Sequence, residues 1–202
     1  MTDIKQENTT KWMPKESNVK YIYAQPKQHK YSIIWLHGLG DHGGSWMKNF
    51  ENFAKTIPDV KWIFPTSAAE NISLHGYKVR AWHDIVSMTD WKLNRKFEGT
   101  KVSCQFIHRL IDTEIIAHNI NSENIIIGGF SMGGAMAIYC GLNYDQKLGG
   151  IICLSGYSPS LKINKYININ NKNTNILMYH GRNDDKVPYK YGQLTYNILK
   201  QY

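Results

Sequence analysis

The sequence is poor in cysteine and has no long apolar run. Its three cysteines, Cys104, Cys140 and Cys153, are an odd number with no C-x-x-C spacing and no paired histidine motif. A disulfide framework and a zinc site are therefore not indicated, and we expect three reduced, mostly buried thiols. No stretch approaches transmembrane length, and residues 1–20 are too polar for a secretory signal. The sequence therefore predicts a cytoplasmic protein.

Acidic residues are also scarce, since 16 Asp and Glu face 24 Lys and Arg and give a formal net charge of +8. Such an excess can indicate a nucleic-acid partner or an anionic membrane surface. The lysines are scattered, however, and they form no basic helix and no aromatic platform for bases, so we expect no nucleic-acid partner. The length and the 42% of apolar residues indicate one soluble domain, placed at residues 19–202 after a polar lead-in at residues 1–18.

Strand-like and helix-like segments alternate along the chain. The nearly continuous apolar run at Tyr31–Leu36 predicts a strand buried on both faces, and apolar residues at helical spacing predict a helix at 100–118. Further strands are expected at 19–24, 60–64, 124–128, 149–154 and 175–179, and further helices at 45–56, 134–142 and from about Tyr189. This order is typical of βαβ units around a mainly parallel sheet, and it predicts the α/β class.

Two segments interrupt the alternation. Residues 66–99 are long and loop-rich, and they lie where loops that cover the substrate commonly occur in α/β enzymes. Residues 164–175 are rich in Asn, Lys and Ile and resemble a low-complexity surface insertion, which needs no function beyond connection.

The sharpest chemical motif is the G-x-S-x-G at residues 129–133, which has Ser131 at its centre. An apolar strand precedes it and an Ala-rich helix follows it, and this context makes the motif specific. A serine at a tight strand-to-helix turn needs small residues two positions to either side, because strand and helix approach closely there. The hydroxyl would then project near the positive end of the helix, where developing negative charge is stabilised. The sequence therefore predicts Ser131 as a nucleophile.

The loop His37-Gly38-Leu39-Gly40-Asp41 follows the first apolar strand. In a hydrolase of this kind, such a loop supplies one backbone N–H of the oxyanion hole, and the residue after the nucleophile supplies the other. Leu39 and Met132 are accordingly the candidate oxyanion donors.

The same loop offers a rival function, because Gly38, Gly40 and Gly43 also spell G-x-G-x-x-G. A dinucleotide-binding turn would need an acidic residue at the end of the next strand, to hold the ribose hydroxyls. Here the next strand ends at Pro65, and Asp59 precedes it. The dinucleotide-binding alternative is therefore weak.

Two carboxylates, Asp184 and Asp185, follow the strand predicted at 175–179. A carboxylate after a strand beyond the nucleophile's strand is where the chain order Ser, Asp, His places the residue that orients the base. Either aspartate can fill this role, and the alternative is a solvated acidic turn without a catalytic function.

Four motifs together resemble those of the acyl-protein thioesterases and lysophospholipase-like carboxylesterases: HGLGD at 37–41, AWHDI at 81–85, GGFSMGG at 128–134 and HGRNDDKVP at 180–188. The resemblance runs from about Tyr31 to the end of the chain. It implies an α/β-hydrolase fold, no cofactor and no metal. The substrates it implies are an S-acyl cysteine on a protein, lysophospholipids and simple esters, with transient contact at a membrane surface.

The resemblance also assigns residues. In the family's pattern the acid stands three residues before Val-Pro, which selects Asp184 over Asp185, and Trp82 belongs to the substrate-binding site. The family usually has Phe after this Trp, where the present chain has His83. It often has Gln after the serine, where this chain has Met132, whose backbone N–H would serve equally.

The base of the expected triad is missing. All eight histidines, at positions 29, 37, 42, 75, 83, 108, 118 and 180, precede Asp184, whereas the chain order requires a base after it. The resemblance implies a further strand, a histidine-bearing loop and a helix beyond residue 202, so we expect an incomplete hydrolase fold that is nearly inactive. His42 and His83 are weak substitutes. The alternative function is a non-catalytic module that binds acyl chains or a partner.

Overall fold

The structure is a computed structural model, which describes residues 11–24, 28–88, 90, 98–159 and 167–201. Its helices are α1 (Gly43–Ala54), α2 (Thr100–His118), α3 (Met132–Asn143) and α4 (Tyr189–Leu199). Its strands are β1 (Lys20–Ile22), β2 (Tyr31–Leu36), β3 (Val60–Phe64), β4 (Ala69–Ile72), β5 (Tyr77–Arg80), β6 (Ile125–Phe130), β7 (Gly150–Leu154) and β8 (Ile176–Tyr179).

Within the part of the chain that the structure describes, six strands form the central sheet, in the order β1-β3-β2-β6-β7-β8. Only the pairing of β1 with β3 is antiparallel within it, and the other neighbours are parallel. The prediction of an α/β-hydrolase fold with a mainly parallel sheet is confirmed. Since parallel strands point the same way, the loops after β2, β6, β7 and β8 all leave from one edge of the sheet.

The two faces of the sheet carry two apolar cores, because successive side chains of a strand point to opposite faces. Ile34 and Leu36 of β2 belong to a core shared with α2 and α3. Ile33 and Trp35, on the alternate positions, pack with α1. The sheet is therefore covered on both faces, which explains why β2 and β3 are almost continuously apolar.

The loop-rich segment at 66–99 contains a hairpin that the sequence did not predict. Strands β4 and β5 pair in antiparallel register, and the turn between them has Gly76 at φ 71°. The amide of Gly40 donates to the carbonyl of Arg80 at 2.8 Å, so the hairpin is attached to the loop after β2. It was missed because most of its residues are exposed and polar and give no apolar alternation.

Two polar stretches have buried members. Trp12, inside the expected lead-in, is only 2% exposed and belongs to the main core.

In the Asn-rich stretch, residues 164–166 lie outside the described residues, but Asn171 is completely buried. Its amide donates to the carbonyls of Tyr144 and Gln146, each at 2.8 Å, and its carbonyl oxygen accepts from the amide of Leu148 at 3.0 Å. The expectation of a surface insertion was wrong at Asn171, which is buried and anchors the loop after α3.

Candidate active site

Ser131 lies at the tight turn between β6 and α3. Its backbone has φ 54° and ψ −118°, which a residue with a side chain rarely adopts and which points to a constrained functional position. The amide of Ser131 donates to the carbonyl of Leu154 at 2.8 Å. A Cβ added to Gly133 would overlap the carbonyl of Leu36, and one added to Gly129 would overlap the backbone of Gly133. The small residues of the motif are therefore required by close backbone approach.

The loop after β2 lies directly beside this turn, because β2 and β6 are neighbours and Leu36 is opposite Gly129. A Cβ built on Gly38 would stand 3.5 Å from the Cβ of Ser131. Among the described residues, the backbone N–H groups of Leu39 and Met132 have no hydrogen-bond acceptor. Two free amides on elements that meet at a serine could stabilise negative charge on a substrate oxygen.

His37 fixes the start of this loop from the protein interior. Its Nδ1 donates to the carbonyl of Gly38 at 2.7 Å, and its Nε2 accepts from the amide of Ser67 at 3.0 Å. Burial lowers the pKa of His37 to about 4, so the ring is neutral at physiological pH. Both nitrogens are thereby committed to the backbone, and His37 acts as a structural residue.

Trp82 lies beneath the same loop. Its indole N–H donates to the carbonyl of His37 at 2.9 Å, and its backbone amide points to the sulfur of Met132 at 3.4 Å. The side chain is completely buried, which leaves it no surface for contact with a substrate in this structure. The geometry therefore suits Trp82 to positioning the two candidate oxyanion donors and not to lining the substrate site.

His83 follows Trp82 and is also completely buried. Its Nδ1 donates to the carbonyl of Asp84 at 2.8 Å, and its Nε2 accepts from the hydroxyl of Tyr157 at 3.3 Å. Burial lowers the pKa of His83 to about 4. Tyr157 in turn packs with Ala135 of α3 and Val187 of the loop after β8. His83 therefore supports the packing between the nucleophile's helix and the acidic loop.

The two aspartates after β8 have different environments. One oxygen of Asp184 accepts from the amides of Lys186 and Val187, at 2.9 and 2.8 Å. Its other oxygen lies 3.5 Å from Nε2 of His180, which itself donates to the carbonyl of Val187 at 2.7 Å. The side chain of Asp185 is 81% exposed and forms a surface ion pair with Lys186. The Asp184 carboxylate is the one held in a fixed orientation.

The structure brings Ser131, Leu39 and Met132 together, and the buried contact of Tyr157 with Ala135 and Val187 packs the acidic loop against the same helix. Among the described residues, no side chain forms a hydrogen bond with the Ser131 hydroxyl. Both candidate substitutes make other contacts: Nδ1 of His42 accepts from the amide of Ser45 at the start of α1, and both ring nitrogens of His83 are hydrogen-bonded as described above.

Two contributors to the site, Ser67 and Tyr157, were not found from the sequence. They act through contacts with His37 and His83, which are far away in the chain, and a single sequence carries no signal for such pairs. His37 was visible as part of the HGLGD motif, but its hydrogen bond with Ser67 was not.

The chain matches the phospholipase/carboxylesterase family model over residues 17–202, and it belongs to that family. It is 35% identical to acyl-protein thioesterase 1 of Gibberella zeae over 189 residues, which are 89% of this chain and 80% of that protein. The crystal structure of SOBER1 from Arabidopsis thaliana superposes with a TM-score of 0.79 at 30% identity, covering 85% of this chain and 83% of that one. Acyl-protein thioesterase 2 of Zea mays gives a TM-score of 0.75 at 28% identity, covering 91% and 84%. Family membership favours the hydrolase interpretation of the Gly-rich loop over dinucleotide binding.

The described residues offer neither a metal site nor a membrane-spanning helix. No group of three or more His, Cys, Asp or Glu side chains there is arranged to hold a metal ion. Within the same ranges, no helix combines the length and the apolarity needed to cross a bilayer.

Proposed function

We propose that the protein is a serine hydrolase of acyl thioesters and esters, with Ser131 as its nucleophile and an S-acyl cysteine of a protein as its preferred substrate. The observation that carries this proposal is the constrained turn at Ser131, placed beside a loop and a helix start that each present a free amide. This arrangement suits attack on a carbonyl carbon, because the charge that develops on oxygen needs donors already in place.

The reaction would follow the usual two steps of acyl transfer. The Ser131 hydroxyl attacks the carbonyl carbon while a base takes its proton, and the amides of Leu39 and Met132 hold the resulting oxyanion. Collapse expels the thiol or alcohol and leaves an acyl-serine, which water then hydrolyses. Asp184 would orient and stabilise the base through the carboxylate oxygen that is not bonded to the backbone. None of the eight histidines of the sequence is assigned to the base.

The surface next to Ser131 supports an acyl substrate. Phe130 is 40% exposed, and its ring packs against that of Trp46 with 5.6 Å between ring centroids. An exposed aromatic surface at the nucleophile favours an apolar chain over a polar substrate. The acyl-protein thioesterases among the relatives support a protein-bound acyl group in particular. Lysophospholipids and simple esters are further substrates of the same chemistry, reached in the cytoplasm by transient contact with a membrane surface.

A fluorophosphonate probe tests the nucleophile. We define a fusion form in which residues 1–202 are followed by the C-terminal segment of the Gibberella zeae thioesterase, chosen to supply a histidine after Asp184. The probe should label this form on the peptide that contains Ser131, and Ser131→Ala should abolish labelling. Ser17→Ala, at an exposed serine, is the matched control and should label normally. Labelling that persists in Ser131→Ala would refute the assignment, and acyl-chain binding without labelling would favour the non-catalytic alternative.

A further inference from the structure

Two of the three buried cysteines lie together with a histidine between α2 and α3, away from the candidate active site. Cys104 and His108 are one turn apart on α2, and the Cys104 sulfur is 3.3 Å from Nε2 of His108. The same Nε2 lies 2.9 Å from the carbonyl oxygen of Cys140 on α3, to which it donates. The side chain of Cys140 is close enough to influence the Cys104 thiol. The Cys104 sulfur therefore faces both the His108 ring and the Cys140 side chain.

The surroundings of His108 favour its charged form. Its ring meets the ring of Tyr144 edge to face, with 5.0 Å between centroids, and the Tyr144 hydroxyl donates to Asp112 at 2.7 Å. Burial acts to lower the pKa of His108, but the hydrogen bond and charge of Cys104, the Cys140 carbonyl and the charge of Asp112 raise it on balance. A protonated imidazole next to a sulfur is the arrangement that stabilises a thiolate.

The third cysteine provides a contrast within the same protein. The hydrogen bond from Cys140, assisted by His108, lowers the pKa of Cys104 to about 6 although burial opposes it. Burial raises the pKa of Cys153 to about 12. Both thiols are almost inaccessible, at 5% and 1% exposure, so access does not distinguish them. The charge state of the sulfur distinguishes the two cysteines, because the thiolate and not the thiol is the nucleophile.

We propose that Cys104 is a modification site for peroxide oxidants and that Cys140 is its resolving thiol, so that oxidation closes a disulfide between α2 and α3. The Cys104 thiolate attacks a peroxide oxygen, the O–O bond breaks, and a sulfenic acid and hydroxide are formed. The Cys140 thiol then attacks that sulfur, forming the S–S bond and releasing water. His108 holds the attacking thiolate and returns a proton to the leaving oxygen. The peroxide gains the two electrons that the sulfurs lose.

Counting free thiols after oxidation tests this site. The chain of residues 1–202 is treated with hydrogen peroxide, unfolded, and reacted with N-ethylmaleimide. Untreated protein should carry adducts on all three cysteines, and treated protein only on Cys153, with a mass loss of two hydrogens. We expect Cys104 to be oxidised at least about tenfold faster than Cys153, because its thiolate fraction outweighs its lower intrinsic nucleophilicity.

Three variants separate the role of Cys140 as the resolving thiol from the role of His108 in stabilising the thiolate. Cys140→Ala should stop at the sulfenic acid on Cys104, which dimedone traps, while the matched control Cys153→Ala should form the disulfide normally. His108→Asn should move the alkylation of Cys104 by iodoacetamide to higher pH. Each variant is compared by circular dichroism first, so that an unfolded protein is recognised.

The wild-type protein gives a result that depends on no substitution. The rate at which iodoacetamide alkylates Cys104 should reach half of its maximum near pH 6, whereas that of Cys153 should still rise in alkaline solution. Parallel pH profiles for the two cysteines, or equal loss of both to peroxide, would overturn the proposal. So would retention of adducts on all three cysteines after treatment.

Discussion

The indole N–H of Trp82 donates a hydrogen bond to the carbonyl oxygen of His37 at 2.9 Å, and both residues are completely buried. This contact holds the backbone from which Leu39 presents its amide, so it ties the packing of the core to the candidate oxyanion hole. Because a buried carbonyl that loses its donor is not compensated by water, the contact should matter for stability as well as for the site.

Trp82→Phe should therefore destabilise the protein more than a matched loss of an indole elsewhere. Trp62 is the control, since it is 3% exposed and its indole nitrogen has no partner among the described residues. We expect Trp82→Phe to lower the free energy of unfolding by about 1–3 kcal/mol more than Trp62→Phe. Urea denaturation of both variants measures the difference, and equal losses would show that the hydrogen bond contributes nothing.

The buried histidines should make stability depend on pH. An unfolded histidine binds a proton near pH 6.5, whereas burial lowers the pKa of His83 to about 4. Between these values the unfolded state binds more protons, so the free energy of unfolding should fall as the pH decreases from about 7 to about 4 and then level off. The effect is on the order of 3 kcal/mol for such a shift.

His83→Phe removes one of the two histidines whose pKa burial lowers to about 4, the other being His37. Its stability should therefore fall less steeply than that of the wild type between pH 7 and pH 4. His75→Phe, at an exposed position of the hairpin, is the control and should keep the wild-type slope. Urea midpoints at several pH values test this, and parallel curves for His83→Phe and the wild type would contradict it.

The two aspartates of the acidic loop should respond differently to substitution. Asp184→Ala removes the acceptor of two backbone amides and should cost about 1–3 kcal/mol of stability, whereas Asp185→Ala should stay within about 0.5 kcal/mol of the wild type. In the fusion form, Asp184→Asn keeps an acceptor but loses the charge, and it should lower kcat by about 10⁴-fold. Equal kinetics of the Asp184→Asn and Asp185→Asn variants would show that neither residue orients a base.

The sequence predicted the sheet, because most of its strands are apolar runs, and it predicted the turn at Ser131 from its close-packed glycines. It did not predict the hairpin of β4 and β5, whose exposed residues give no apolar alternation. The burial of Trp82 and Asn171 was also not visible, because burial depends on contacts between elements that are distant in the chain. The core follows from local pattern, whereas the support beneath the candidate site depends on long-range pairs such as His83 with Tyr157.

Residues 1–202 alone should hydrolyse esters slowly, because no histidine follows Asp184 and a serine hydroxyl without a base stays protonated at neutral pH. General base catalysis alone contributes about 10²–10⁴-fold. We therefore expect the fusion form to hydrolyse a p-nitrophenyl ester at least about 10²-fold faster than residues 1–202 alone. Comparable turnover by the two forms would instead indicate His42 or His83 as the base, which His→Ala changes at each position would distinguish.

The measurement that tests the central claim most directly is the release of fatty acid from an S-palmitoylated peptide by the fusion form and by its Ser131→Ala variant. The effects of substitutions within a catalytic unit are not additive, and loss of the nucleophile alone can lower kcat by about 10⁶-fold. The account predicts turnover by the fusion form and release at the uncatalysed rate by Ser131→Ala, with Ser17→Ala equal to the parent. Thioester cleavage by Ser131→Ala at the rate of the parent would contradict it.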